Sequence, residues 1–218
     1  MAQSTALQHA PGDRPAPSHA IERRDGPIFP LWLRITHWLN AIGVIVMVMS
    51  GWRIYNASPF FPFHIPNGIT IGGWLGGALQ WHFAAMWIIF LNGLLYLFAN
   101  LVTKRLFTQF FPLSPRAIWN DFVAAFKGKL SHEDLRHYNA VQRFAYLFVI
   151  VDITILILSG LVLRKNVQFP LLRELLGGYE TARRVHFIAM AGLVGFFIVH
   201  VVMVALVPKT LIAMIRGR

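Results

Sequence analysis

The sequence predicts an all-α fold, an integral-membrane four-helix bundle with both termini cytoplasmic, and three observations lead to it. First, the 218 residues are 56% hydrophobic and only 13% charged, with a mean hydropathy of +0.55; soluble domains run near a quarter charged. Second, four apolar segments occur, each about 22 residues long, enough for a helix to cross a hydrocarbon core of about 30 Å. Third, Lys and Arg gather on one side of those segments. The net charge of +11 would suggest nucleic acid in a soluble chain. Here it reports topology, and no nucleic-acid partner is expected.

Residues 1–28 are rich in Pro, Ala, Ser and charge, with no apolar run behind the basic residues. They read as a disordered cytoplasmic tail rather than a secretory signal. Residues 29–218 read as one four-span domain, with spans at 31–54, 81–102, 141–163 and 185–207. An even number of spans puts both ends on one face. Fourteen Lys and Arg fall in the N-terminal part, the connection between spans two and three, and the C-terminus. Six fall on the other face: Arg53, Arg164, Lys165, Arg173, Arg183 and Arg184. The positive-inside rule makes the richer face cytoplasmic, in what would be a bacterial inner membrane.

The connections are also readable. Residues 55–80 form a long, Pro- and Gly-rich, nearly uncharged outer connection that either folds over the bundle or meets a partner. Residues 114–130 predict a capped amphipathic helix, with Ser114 as cap and Pro115 at the first position. It lies in the cytoplasmic interface or packs on the bundle. A short helix is expected around 171–176.

The chain has no cysteine. That excludes disulfides, thiolate iron–sulfur sites and a thioether-attached haem, so any redox centre must use His or Met. Of nine histidines, His37, His82, His186 and His200 lie in or at the edge of spans. His186 and His200 are fourteen residues apart, about 40° short of four full turns and roughly 21 Å along one helix face. Chain direction then places His82 level with His186 near the outer face, and His37 level with His200 near the inner face. Each opposed pair could ligate a haem iron from both sides, because neutral imidazole is a good iron ligand. Proton or metal sites on a transporter or scaffold are the alternative.

Small residues agree with two haem levels. Gly51 follows His37 by fourteen residues on the same face, and Gly93 follows His82 by eleven. Helix–helix packing would favour the same glycines. Leu193 and Phe197 share the histidine face of span four between the two ligands. Arg34, Arg183 and Arg184 are candidates for haem propionates, though basic residues flank membrane spans in any case. Asp152, midway along span three, is the one acid deep in the membrane. Such a residue is functional by default, with an interhelical hydrogen bond as the alternative.

These features resemble the bacterial cytochrome b561 family, including the di-haem b subunits of formate dehydrogenases and nickel–iron hydrogenases. The resemblance runs from Arg34-Ile35-Thr36-His37-Trp38 to Pro208 and rests on the four histidine positions. It implies two haem b groups, held by His82 with His186 and by His37 with His200. Tyr138-Asn139-Ala140-Val141-Gln142-Arg143 looks like the Tyr-Asn-Ala-Gly-Gln-Lys stretch lining the quinone site of the formate dehydrogenase subunit. It implies a ubiquinone or menaquinone site using Asn139 and His200, with Gln142 and Arg143 as further donors. Val141 replaces the family's Gly there. The motifs at 51–56 and 72–77 look like those of cytochrome b subunits of thiosulfate-reductase type, which implies a periplasmic, molybdopterin-dependent redox partner.

The function expected is transmembrane electron transfer between that partner and the quinone pool. A stand-alone superoxide:ubiquinone oxidoreductase is the alternative, with Arg164, Lys165, Arg173, Arg183 and Arg184 as a funnel for the anion.

Overall fold

The computed structural model describes residues 29–103, 116, 119, 123 and 140–217. Four long helices dominate them: α1 (Leu31–Ala57), α2 (Leu75–Val102), α3 (Ala140–Lys165) and α5 (Tyr179–Leu206). Each is long and apolar enough to cross a membrane. At 26 to 28 residues, roughly 40 Å, they outspan the hydrocarbon core and reach into both interfaces.

Burial is inverted relative to a soluble bundle. Ile42, Trp87, Leu94, Phe98, Ile150 and Val199 are exposed, while Thr36, Ser50, Ala78, Ala85, Asn92, Asp152, Ser159, Ala182 and Ala189 are buried. Large apolar side chains face outward, where lipid would solvate them, and small or polar residues let the helices approach. The backbones pack closely within two hairpins, α1 with α2 and α3 with α5, and stay further apart between hairpins.

Two helices start six residues before the expected spans. The chain turns into α2 through Gly72, at φ +106°, where a Cβ would lie 2.4 Å from the Ala78 nitrogen. Trp74 then lies over Gly76 and Gly77, and Ala78 is fully buried. Those glycines hide the first turns of α2 from a search for apolar onset. Before α5, Gly177 and Gly178 take positive φ, and Glu180 in the first turn complements the helix dipole. Arg183 and Arg184 belong to this helix but precede its apolar part.

The short helix appears as α4 (Pro170–Leu175), with proline in the first turn. The amphipathic helix expected at 114–130 lies outside the described residues, apart from Arg116, Trp119 and Val123, which are helical.

At one end of the bundle the 58–74 connection folds back on α1. The Tyr55 hydroxyl donates to the carbonyls of Phe61 and Phe63, at 3.3 and 3.0 Å. Asn56 pairs in both directions with the Ile65 backbone, at 2.7 and 2.8 Å. Arg53 donates to Asn67 Oδ1 at 2.5 Å and to the Gly73 carbonyl. Tyr55, Phe60, Phe61 and Phe63 gather around Phe187 of α5.

At the other end Pro208 breaks α5 from a short amphipathic helix, α6 (Pro208–Arg216). Arg34 of α1 donates to the carbonyls of Met214, at 3.1 Å, and Ile215. The beginning of α1 and the end of α6 therefore share one end of the bundle.

Candidate functional site

Two pairs of histidines bridge the hairpins. His82 of α2 faces His186 of α5 with ring centroids 6.4 Å apart, at the end covered by the 58–74 connection. His37 of α1 faces His200 of α5 at 6.1 Å, toward the other end. Two imidazoles on one iron have centres about 6 Å apart, given metal–nitrogen bonds of about 2.0 Å and about 1.1 Å from nitrogen to ring centre. Both pairs have that separation.

The histidines at the two levels are held differently. Ser50 Oγ lies 3.1 Å from His82 Nδ1 and 2.6 Å from the Val46 carbonyl. A hydroxyl has one proton, and the shorter contact places it on Val46. The imidazole Nδ1–H is then the donor, toward Ser50 and the Met47 backbone, and Nε2 keeps its lone pair. Ser159 repeats this on α3, with Oγ 2.9 Å from His186 Nδ1 and 2.6 Å from the Ile155 carbonyl. His200 instead stacks on Phe196 at 5.8 Å, and His37 meets Trp38 edge-on at 5.6 Å.

Each serine precedes a glycine that faces the same histidine. A Cβ on Gly51 would lie 3.5 Å from His82 Cε1, and one on Gly160 would lie 3.4 Å from His186 Cε1. Gly51 thus sits at the His82 level, as its spacing from His37 predicts. A Cβ on Gly93 would have nothing within 4 Å.

Asn92 secures the other level. Its buried amide donates both protons, to the Thr36 carbonyl and to Asn40 Oδ1, each at 2.7 Å. Those acceptors lie either side of His37. Asp152 is buried on α3, with Oδ2 lacking a hydrogen-bond partner, and its other oxygen would be 3.4 Å from a Cβ on Gly192 of α5.

The donor set fits haem. Among the described residues no group of three or more His, Cys, Asp or Glu could hold a bare ion. A pair of imidazoles is too few for a bare ion, whereas a haem, which brings its own nitrogen donors, would need only such a pair. The glycines keep side chains away from the Cε1 edges of the two rings.

The remaining candidates divide. Asn139 lies outside the described residues. Gln142 is exposed and Arg143 half-buried on the first turns of α3. Arg34 is engaged with α6, and Arg183 pairs with Glu180 at 3.4 Å while lying over the Phe60 ring. Arg184 is exposed. Sequence reasoning missed Ser50, Ser159, Gly160 and Asn92. A usable signal existed for three of them: the dipeptide Ser-Gly occurs twice in the chain, once in each hairpin.

Comparison with known proteins identifies relatives of this chain. A family model described as prokaryotic cytochrome b561 matches residues 28–217. The chain is also 70% identical over 190 residues to a protein of Azospira oryzae that has the provisional name protein-methionine-sulfoxide reductase subunit YedZ1. That alignment covers 87% of this chain and 96% of the relative. No solved structure matches.

Proposed function

This chain belongs to the prokaryotic cytochrome b561 family, a family of haem b membrane subunits, and from that premise we propose that it passes electrons from quinol to a periplasmic reductase of oxidised methionine in proteins. The observation that supports this best is the levelling of two histidine pairs at the separation a bis-imidazole iron requires, 6.4 and 6.1 Å. His82 with His186, and His37 with His200, would each hold one haem b. When bound, the two haems supply one-electron couples near the two membrane faces.

A reductase partner like the one in the relative's name favours outward flow. Reducing a sulfoxide to a sulfide and water takes two electrons and two protons, and oxidising a quinol to a quinone releases two of each. Electrons therefore run from the membrane pool outward. The reductase would be the molybdopterin-dependent partner, docking over the 58–74 connection beside His82 and His186. Both termini would be cytoplasmic, with Asn139, Gln142 and Arg143 meeting the quinone near His37 and His200.

The relative's name, a reductase subunit, favours this reading over the stand-alone superoxide one, two of whose five cations lie over aromatic rings. Arg164 lies 3.9 Å over the Phe83 ring, and Arg183 is occupied by Glu180 and Phe60.

A reduced-minus-oxidised spectrum and a pyridine haemochrome count on the purified chain test the core of the proposal, with two b haems per chain expected. Quinol should reduce both, and adding the reductase with a methionine-sulfoxide-containing protein should reoxidise them. A folded, colourless chain would overturn the haem reading. Reduced haems that stay reduced with that reductase and substrate would overturn the partner.

A further inference from the structure

We propose that Ser50 and Ser159 are positioning residues that hold both imidazoles of one haem, and of that haem alone, in a fixed tautomer, and thereby lower its reduction potential. This inference rests on the haem assignment above and adds an asymmetry between the two sites.

Three observations support it. The same arrangement is built twice, on different helices, around the two histidines of a single pair. Ser50 on α1 meets His82 on α2, and Ser159 on α3 meets His186 on α5. Both serines are fully buried, each one's proton is taken by the carbonyl four residues earlier at 2.6 Å, and each is followed by a glycine against the same ring. The other pair contacts Phe196 and Trp38 instead, and no hydrogen bond from His37 or His200 occurs among the described residues.

The chemistry follows from the direction of the bond. A serine whose proton is already donated can only accept, so Nδ1 must carry the hydrogen and Nε2 must be the metal-binding nitrogen. Donation from Nδ1–H makes the ring a stronger electron donor at Nε2. A stronger donor favours ferric over ferrous iron, so the couple at His82/His186 sits lower than it would without the serines. The other couple lacks this contribution among the described residues. Removing an outer-shell partner of a ligating histidine typically weakens metal binding by about 10–100-fold. The bond persists in both oxidation states, so only its difference between them appears in the potential.

The test is a spectroelectrochemical titration of the full chain in detergent, comparing wild type with Ser50→Ala, Ser159→Ala, the double variant and Thr154→Ala. Thr154 makes the same bond to the carbonyl four residues earlier, at 2.8 Å, but touches no histidine. It therefore controls for loss of a back-bonded hydroxyl from an apolar helix, at an exposed position. His186→Ala identifies which wave belongs to the His82/His186 haem. That wave should move upward in each single serine variant and further in the double, with the other wave unmoved and Thr154→Ala silent. The expected size per serine is about threefold to tenfold in the ferric-to-ferrous ratio, a tenfold change being about 59 mV for one electron. If the double variant loads only the other haem, the single variants decide. Two intact waves that fail to move, move downward, or move together would overturn the serine role while leaving the haem assignment standing. Absence of two waves in the wild type would instead overturn the assignment itself.

Discussion

Replacing Asn92 by leucine should loosen the His37 level of the bundle before anything else. Leucine has the same branching but is bulkier, so overpacking against Thr36 and Asn40 adds about 1–3 kcal/mol to the hydrogen bonds lost. The amide nitrogen donates to the Thr36 carbonyl and to Asn40 Oδ1, both at 2.7 Å, from a position only 5% exposed. Interhelical hydrogen bonds in membranes average about 0.6 kcal/mol and reach about 1.7, and those in water about 0.5–1.5. Two bonds lost therefore amount to roughly 1–3 kcal/mol. Removing the Asn92 carbonyl, which has no partner, returns part of that. With the overpacking included, the net expectation is about 2–5 kcal/mol. Denaturant titration in detergent, followed by helicity and by haem absorbance, measures it. Because the acceptors flank His37, the haem at His37/His200 should be released at lower denaturant than the haem at His82/His186. A shift below about 0.3 kcal/mol, with the order of haem release unchanged, would refute the argument that Asn92 braces this level.

Other expectations follow from the same geometry. Alanine at His82 or at His186 should remove the same one of two haems, and alanine at His37 or His200 the other, as counted by pyridine haemochrome; loss of different haems within a pair would break the pairing. Leucine at Gly51 or Gly160, whose Cβ positions lie 3.5 and 3.4 Å from His Cε1, should deplete the His82/His186 haem severalfold, whereas Gly68→Ala, facing open space, should change nothing. Arg34→Met removes the donor to the Met214 and Ile215 carbonyls. It should destabilise α6 by about 1 kcal/mol, seen as faster proteolysis near the C-terminus with haem content kept; loss of a haem instead would mark Arg34 as a haem contact.

The large features were legible because they depend on few variables. Rise and rotation per residue are fixed in a helix, so His186 and His200 could be placed on one face, and chain direction then levelled His82 and His37 with them. What was not legible depends on register between helices. Whether Ser50 meets His82, or Asn92 meets Thr36 and Asn40, is decided by how α1 slides along α2, which packing sets and spacing does not. The starts of α2 and α5 escaped for a different reason. Hydropathy marks where lipid contact begins, while the helices begin earlier, at Leu75 and Tyr179, among glycines and charged residues. Arg34 and Arg183 show a third limit, since position in the sequence does not reveal the α6 carbonyls or the Glu180 carboxylate that these guanidinium groups also meet.

The division into two closely packed hairpins has a consequence for biogenesis. Each hairpin holds half of both histidine pairs, and their backbones keep their distance from one another. Cofactor insertion and the joining of the halves should then be one linked equilibrium. By mass action, a ligand present at a hundred times its dissociation constant adds about 2.7 kcal/mol to the state that binds it. Two polypeptides, one ending and the other beginning between α2 and α3, should therefore co-purify from haem-replete cells and separate when haem synthesis is blocked. If they stay together without haem, apolar packing alone unites the bundle.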